Sequence, residues 1–569
     1  MLVISSGVAH RPHRQEWRGH PGRVTGPKQH RQRYLAPRDL GLKKVSAEDV
    51  DGELRSVSIA RALRGLAWRL HRTDLAGNDR VALEDIAGRM PIPWRDRALH
   101  CLQDPSYVLL GAQPLLHLVL QALDVCPDED PHGRPDTELA TDQLTVLAVA
   151  AADALPQSDT GLELTTLRSA LLTASQGEWR LWLEETPALP PHVLARCATM
   201  EFADFSLEST FRTATGLTFE QLVLGSCLLA GVQDLEDDWP YADLTEAVPP
   251  HQREALRAVA ACYRTPLDAL RAAARADLAS GSAWSFRSLY MTPAVEIPGQ
   301  EPLVIRPSWL RDRAASSSIV NVIGDVLRNQ DSKLSGQWQT LLGKAHEDRG
   351  HELLESLPAR ADRRVYREDG PDGGLKLLLG AGKCCDALLV EGTTWIAIDF
   401  VRHAFTARTV VDGTLEDLQR DLKRAIVQKV RQCDETLRRA VDHPDLMKTH
   451  GRPRRIYNLI VNGADMPLDP VLHKQIREAI SNAQSSTFVD SHPKGLSPLV
   501  TDIASFSALI GIGTTGARPS KILADWRASQ YSDWSLFNFL AVHRQTQLLR
   551  RRERGQWFAR AADFFQVEV

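Results

Sequence analysis

Two short apolar runs joined by a four-residue turn constrain the fold of this chain more than any other feature. Residues 385–390 read Cys-Asp-Ala-Leu-Leu-Val and residues 395–401 read Trp-Ile-Ala-Ile-Asp-Phe-Val, with Glu-Gly-Thr-Thr between them. Apolar runs of this length, bounded by a turn that contains glycine, are typical of a β-hairpin. The sequence therefore predicts two paired strands.

Each of these strands carries an aspartate. Asp386 opens the first strand, and Asp399 directly follows the apolar run Trp-Ile-Ala-Ile in the second. A carboxylate is costly to bury there unless it is paired or binds a metal. Two carboxylates on adjacent strands can converge on one point, where they form a hard oxygen site suited to Mg²⁺. The alternative is a hairpin with two incidental acids.

The sequence around the hairpin alternates between helical and extended patterns. It predicts a helix at 334–357, a strand at 375–379, a helix at 415–441, a strand at 455–461, a helix at 470–483, extended pieces near 486–490 and 498–502, and helices at 519–528 and 534–550. Helix, three strands, helix and strand in this order describe a compact α/β unit.

Lysine usage divides the chain into regions of different character. Of the 13 lysines, none lies between residues 45 and 332. We expect a mixed fold with a disordered basic tail at 1–45, a mostly helical region at 46–310, the α/β domain at 311–510 and a helical C-terminal segment at 511–569. The helical region includes expected helices at 139–154, 163–176 and 218–232, the last with a capping box at Thr218.

Composition excludes several classes of protein. With 68 Lys and Arg against 72 Asp and Glu, the net charge of −4 argues against a wholly basic protein that wraps nucleic acid. Eight cysteines without a Cys-x-x-Cys pair indicate neither a disulfide scaffold nor a zinc ribbon. No apolar run is long enough to span a membrane. A cytoplasmic protein without a membrane partner is the expectation.

One glycine-rich stretch matches a nucleotide-binding pattern only superficially. Residues 511–516 read Gly-Ile-Gly-Thr-Thr-Gly, but the dinucleotide fingerprint requires a strand before it and a helix directly after. A flexible loop before Pro519 is the expected structure.

The stretch from about 333 to 510 resembles the PD-(D/E)XK, or restriction-endonuclease-like, nuclease superfamily. The family pattern is an Asp on one strand and an acid-x-Lys on the next, flanked by helices, often with an upstream helical Glu. Asp386 matches the first acid, Asp399 the second, and Glu347 the helical acid, although Glu352 is an alternative for that role. The resemblance implies a Mg²⁺ site at Glu347, Asp386 and Asp399, with both aspartates catalytic.

The sequence departs from the family pattern in two places. Cys385 stands at the motif's proline, and Val401 stands at its lysine. In this superfamily the following helix sometimes supplies a migrated lysine or a glutamine, so the resemblance makes Lys429 and Gln432 the candidate catalytic replacements. The alternative is that Lys429 only extends from the edge of the core to solvent.

Arginine clusters are the candidate nucleic-acid contacts. They are Arg452, Arg454 and Arg455 before a predicted strand, and Arg550, Arg551 and Arg552 near the C-terminus. Such clusters suit a phosphate backbone, although a solvated helix end has the same composition.

These features lead to one expected function and two alternatives. We expect a diverged Mg²⁺-dependent nuclease that hydrolyses phosphodiester bonds in DNA, with a role in bacterial defence or DNA processing implied by the resemblance. One alternative is a catalytically inactive nuclease fold that binds nucleic acid, which the valine at position 401 favours. The other is an interaction scaffold in which the helical region binds a protein partner.

Overall fold

The computed structural model describes most of the chain in separate ranges. These ranges are 33–35, 37–42, 46–76, 84, 86–104, 107–109, 112–133, 142–151, 206–232, 248–279, 286–300, 302–306, 309–310, 319–370, 374–380, 382–403, 415–463, 470–483, 488–492, 495–543 and 563–566. The chain divides into two compact units, one formed by 1–157, 224–311 and 558–569, the other by 158–223 and 312–557. Both contain helices and strands, so the chain is a mixed helix-and-sheet protein.

The first unit is mostly helical. Its helices are Ala47–Leu54, Ile59–Ala76, Ile92–Cys101, Ala112–Val125, Asp142–Ala151, Pro250–Ala261, Leu267–Ala279 and Arg287–Met291. Its short strands are Arg33–Tyr34 and Tyr107–Val108, which pair in parallel, and Arg264–Pro266, Ala294–Glu296 and Leu303–Val304, which form a three-stranded sheet. Ser46 starts the first helix with a capping box, in which its side chain and that of Asp49 bond each other's backbone amides.

The second unit contains the predicted hairpin within a five-stranded sheet. The strands are Arg363–Arg367 (β1), Ala387–Glu391 (β2), Thr394–Val401 (β3), Arg455–Asn462 (β4) and Gly495–Asp502 (β5), in the spatial order β5-β4-β3-β2-β1. β1, β2 and β3 pair antiparallel, whereas β3, β4 and β5 pair in parallel. The turn between β2 and β3 holds Gly392 at a φ of 57°, a conformation that favours glycine.

Helices flank this sheet. The unit contains Leu207–Thr215, Ile319–Gln330, Ser332–Glu355 (α1), Gly374–Leu379, Leu415–Leu422 (α2), a π turn at Lys423–Val427, Gln428–Asp442 (α3), Pro444–His450, Pro470–Ala483, Phe488–Ser491, Ile503–Thr514, Pro519–Ala528 and Leu536–His543. Helix Phe219–Val232 contains the division between the units, and its Thr218 and Gln221 form the predicted capping box.

Both faces of the sheet are covered, which explains why the central strands are almost wholly buried. Trp395 and Ala397 of β3 pack in a core with α2, α3 and helix Pro470–Ala483. Ile396, Ile398 and Phe400 pack in the opposite core, with α1 and the helices after β5. A strand that is buried on both faces has apolar side chains on both, so its sequence is a nearly continuous apolar run. Both strands of this hairpin have such a sequence.

Several expectations from the sequence are wrong in detail. Residues 375–379 lie in the short helix Gly374–Leu379 rather than a strand, and residues 486–490 end in helix Phe488–Ser491. Helix Ile503–Thr514 extends through most of the glycine-rich stretch expected to be a loop. Its apolar side chains belong to the core of the sheet, so packing overrides the helix-breaking tendency of the glycines.

Other expectations fall outside the described residues. These are most of the basic tail at 1–45, the helix at 163–176 and Arg550, Arg551 and Arg552. Among the residues that the structure describes, no helix is both long and apolar enough to cross a membrane.

Candidate active site

Strand pairing brings three carboxylates into one row across the sheet. Arg367 of β1 pairs with Ala387 of β2, which pairs with Ile398 of β3. One residue further along each strand, the same pairing places Glu368, Asp386 and Asp399 beside one another. We call these three residues the acid row. Two hydrogen bonds fix this arrangement, because the Glu368 N–H donates to the Asp386 carbonyl at 2.9 Å and the Phe400 N–H donates to Asp386 Oδ2 at 2.6 Å.

A fourth carboxylate reaches the same place from α1. Glu347, Glu368 and Asp386 each offer an oxygen atom within 4.8 Å of the others, and we call these three residues the carboxylate cluster. Asp386 is buried, whereas Glu347 and Glu368 are half-buried. Because carboxylate oxygens are the ligands that Mg²⁺ and Ca²⁺ prefer, the donor set of the cluster fits a hard divalent cation.

The electrostatics of Asp386 also fit a cation. Burial, together with the neighbouring Asp399, raises the pKa of Asp386 to about 9. The group therefore carries a proton near neutral pH when no cation is present. A divalent cation would favour its charged form, since opposite charges at short range lower the pKa of a carboxyl.

Asp399 and Lys429 form an ion pair beside the cluster, in which the aspartate is buried and the lysine is half-buried. The Nζ of Lys429 lies 2.6 Å from Oδ1 of Asp399, whose side chain is fully buried. Burial raises the pKa of Asp399 above its ordinary value, although Lys429 opposes this shift. Burial alone would lower the pKa of Lys429, but Asp399 and Asp386 outweigh it and raise that pKa. The ammonium group is therefore held in its charged form.

A local distortion of the helix precedes Lys429. Between α2 and α3, the π turn Lys423–Val427 widens the helix, and its residues Ala425, Ile426 and Val427 are all buried. A π turn accommodates about one extra residue, which rotates everything after it by about 100° relative to a continuous α-helix. Lys429 emerges just after this turn, with its ammonium group directed to Asp399.

Gln432 lies on the same helix but contacts backbone. Its Nε2 donates to the carbonyl of Cys384, and Thr436 Oγ1 accepts a hydrogen bond of 2.8 Å from the N–H of Cys385. Both bonds hold the segment directly before Asp386. Gln432, which was predicted to be catalytic, therefore holds the backbone segment that carries Asp386.

The environment of Glu347 separates it from Glu352. The His351 Nε2 lies 3.7 Å from Glu347 Oε1, and the interaction with this histidine is the main cause that lowers the pKa of Glu347. Glu352 instead pairs with Arg349 at 3.2 Å. Of the two alternatives that the sequence leaves open, Glu347 is the one in the carboxylate cluster.

Glu368 is the member of the site that the sequence analysis missed. It directly follows β1, an arginine-rich strand of sequence Arg-Arg-Val-Tyr-Arg that was not predicted. The only sequence signal is an acid at the end of an extended segment that precedes the hairpin.

The arginines predicted to contact nucleic acid lie at the other end of the sheet. Arg452, Arg454 and Arg455 are exposed, and Arg455 pairs with Thr394 at the start of β3. Asp399 lies five residues further along β3, a separation of about 17 Å at ~3.3 Å per residue. These arginines are therefore separate from the acid row.

Comparisons with known proteins give no relative from which a function could be transferred. No protein-family model, no curated protein and no solved structure matches the chain. Any functional conclusion rests on the chain's own residues.

Proposed function

We propose that the carboxylate cluster, Asp399 and Lys429 form the active site of a divalent-metal-dependent nuclease of the PD-(D/E)XK type that hydrolyses phosphodiester bonds in DNA. The observation that carries the proposal is the carboxylate cluster of three residues within 4.8 Å, next to an Asp–Lys pair at 2.6 Å. The mixed sheet and its flanking helices also agree with that superfamily.

The residues of the site have separable roles in this proposal. Glu347, Glu368 and Asp386 would hold Mg²⁺, which supplies Lewis-acid polarisation of the scissile phosphate when bound. Lys429 provides a fixed positive charge, which can orient the attacking water and stabilise charge that develops on phosphate oxygens. Asp399 keeps that ammonium group charged and in place.

Lys429 stands in for the lysine that Val401 replaces. Val401 ends β3 and packs against the apolar core. Its aliphatic side chain cannot supply the positive charge of the motif lysine. Lys429 reaches the same strand from the following helix, through its contact with Asp399. We therefore assign the role of the motif lysine to Lys429.

The first test is cleavage of supercoiled plasmid and single-stranded DNA by the full-length protein with Mg²⁺, Mn²⁺ or EDTA. We expect metal-dependent cleavage that Asp386→Asn and Lys429→Met each reduce by about 100-fold or more. Lys423→Met is the matched control, because Lys423 is an exposed lysine on the preceding turn.

Three outcomes separate the proposal from its alternatives. Cleavage lost in Lys429→Met but retained in Lys423→Met supports the assignment of Lys429. DNA binding without cleavage under any metal would favour the inactive nuclease fold. Neither binding nor cleavage, together with a stable protein complex, would favour the interaction scaffold.

A further inference from the structure

A polar cavity lies at the end of the five-stranded sheet opposite the acid row. Its volume is about 360 Å³, within the range of small-molecule sites. The hairpin turn, the start of β4 and the first turn of helix Pro519–Ala528 contribute its polar lining. This polar lining includes Thr393, Thr394, Arg455, Arg518, Ser520 and Lys521.

The acidic residues around this cavity are largely neutralised by protein partners. Glu391 is buried, pairs with Arg363 at 2.7 Å, and accepts a hydrogen bond of 3.0 Å from the Ser520 N–H. Asp362 bonds both Arg518, at 2.5 Å, and Arg360, at 3.3 Å. The negative charges of Glu391 and Asp362 are therefore largely compensated by these partners and contribute little to the potential in the cavity.

Two cations in the lining lack such neutralisation. Within the part of the chain that the structure describes, neither Arg455 nor Lys521 has a carboxylate at ion-pair distance, and both are exposed. Asp525, which is also exposed, is the remaining acid of the lining. The cavity thus combines net positive charge with the hydroxyl groups of Thr393 and Thr394.

We propose that this cavity binds the phosphate group of a nucleotide or of a nucleic-acid strand. Arginine and lysine supply charge-assisted hydrogen bonds to phosphate oxygens, and threonine hydroxyls commonly add neutral ones. The site requires neither a metal nor hydrolysis, and β3 separates it from Asp399 by about 17 Å. It is therefore a binding site in addition to the proposed nuclease centre, and either can fail without the other.

The test measures phosphate binding by the full-length protein in EDTA. Isothermal titration calorimetry with inorganic pyrophosphate and with adenosine monophosphate probes the small ligands, and fluorescence anisotropy with a labelled DNA duplex probes the strand. In Arg455→Gln/Lys521→Gln we expect binding to weaken by about tenfold or more, because two charge-assisted contacts are removed. Arg438→Gln/Lys448→Gln is the matched control, because it removes one exposed arginine and one exposed lysine outside the cavity.

The probes also identify the source of the phosphate. Loss of pyrophosphate and nucleotide binding in the double variant, with duplex binding unchanged, assigns the site to a small ligand. Loss of duplex binding in the double variant assigns it to a nucleic-acid backbone. The proposal is overturned if none of the probes binds, or if all bind equally well to the double variant while circular dichroism shows that it is folded.

Discussion

The ammonium nitrogen of Lys429 lies 2.6 Å from Oδ1 of Asp399, a carboxylate that has no exposed surface. The pair joins the helix after the π turn to the central strand of the sheet. Removing one partner of a buried ion pair leaves the other charge uncompensated, which costs more than the pair itself contributes. Substitution of either residue should therefore lower the free energy of unfolding as well as the activity.

The first prediction concerns this coupling. Lys429→Met should lower the free energy of unfolding by about 3 kcal/mol near neutral pH, because Asp399 is left buried without its partner. Asp399→Asn/Lys429→Met should recover a large part of that loss, since it removes both charges. Urea unfolding of the two single variants and the double variant forms a double-mutant cycle. Additive effects in the cycle would show that the two side chains are not coupled.

The second prediction concerns the carboxylate cluster. Glu368→Gln should weaken Mn²⁺ or Mg²⁺ binding by about tenfold or more, because a neutral amide replaces one of three carboxylates. The matched control is Glu352→Gln, whose carboxylate pairs with Arg349 outside the cluster. Calorimetric titration with the metal alone measures both, and no nuclease activity is required. Equal metal affinity in the two variants would place the metal elsewhere.

The sequence predicted the parts of this site that depend on strand pattern. The apolar runs indicated the hairpin, and its register brings Asp386 and Asp399 together as expected. Glu368 could not be found in this way, because the edge strand β1 contains three arginines and lacks an apolar run. Residues 375–379, which read Leu-Lys-Leu-Leu-Leu, form too short a run for periodicity to distinguish helix from strand.

The position of Lys429 was only partly predictable. Helical periodicity places Lys429 at the edge of the buried stripe of a continuous α-helix. Between α2 and α3 the structure has a π turn instead, whose Ala425, Ile426 and Val427 are all buried. The pattern of apolar residues does not report such a turn.

The third prediction follows from the raised pKa of Asp386. Its pKa moves from an ordinary value of 3.8 to about 9 in the folded protein, chiefly through burial and then through Asp399. The folded state then holds a proton that the unfolded chain releases, so folding takes up a proton across this range. The contribution to stability is present below pH 3.8 and is lost as the pH rises towards about 9.

This linkage can be measured in EDTA. Between these pH values the wild-type free energy of unfolding should fall relative to that of Asp386→Asn, by at most about 1.4 kcal/mol per pH unit. Mg²⁺ binding near neutral pH should release up to about one proton from Asp386. Calorimetry in buffers of different ionisation enthalpy counts that proton. Parallel stability curves for the two proteins would contradict the raised pKa.

The last prediction concerns the glycine that sets the distance between α1 and β3. A Cβ added at Gly350 would collide with the ring of Phe400, which follows Asp399 and donates its N–H to Asp386. Gly350→Ala should therefore destabilise the protein by about 1–3 kcal/mol. It should also weaken metal binding, because the helix that carries Glu347 must move away from the strand.

Gly343→Ala on the same helix meets no atom within 4 Å, so it should stabilise the protein by about 0.5–1 kcal/mol. Thermal unfolding with and without Mg²⁺ measures both effects, and similar behaviour of the two variants would show that close approach of α1 to β3 does not position the site.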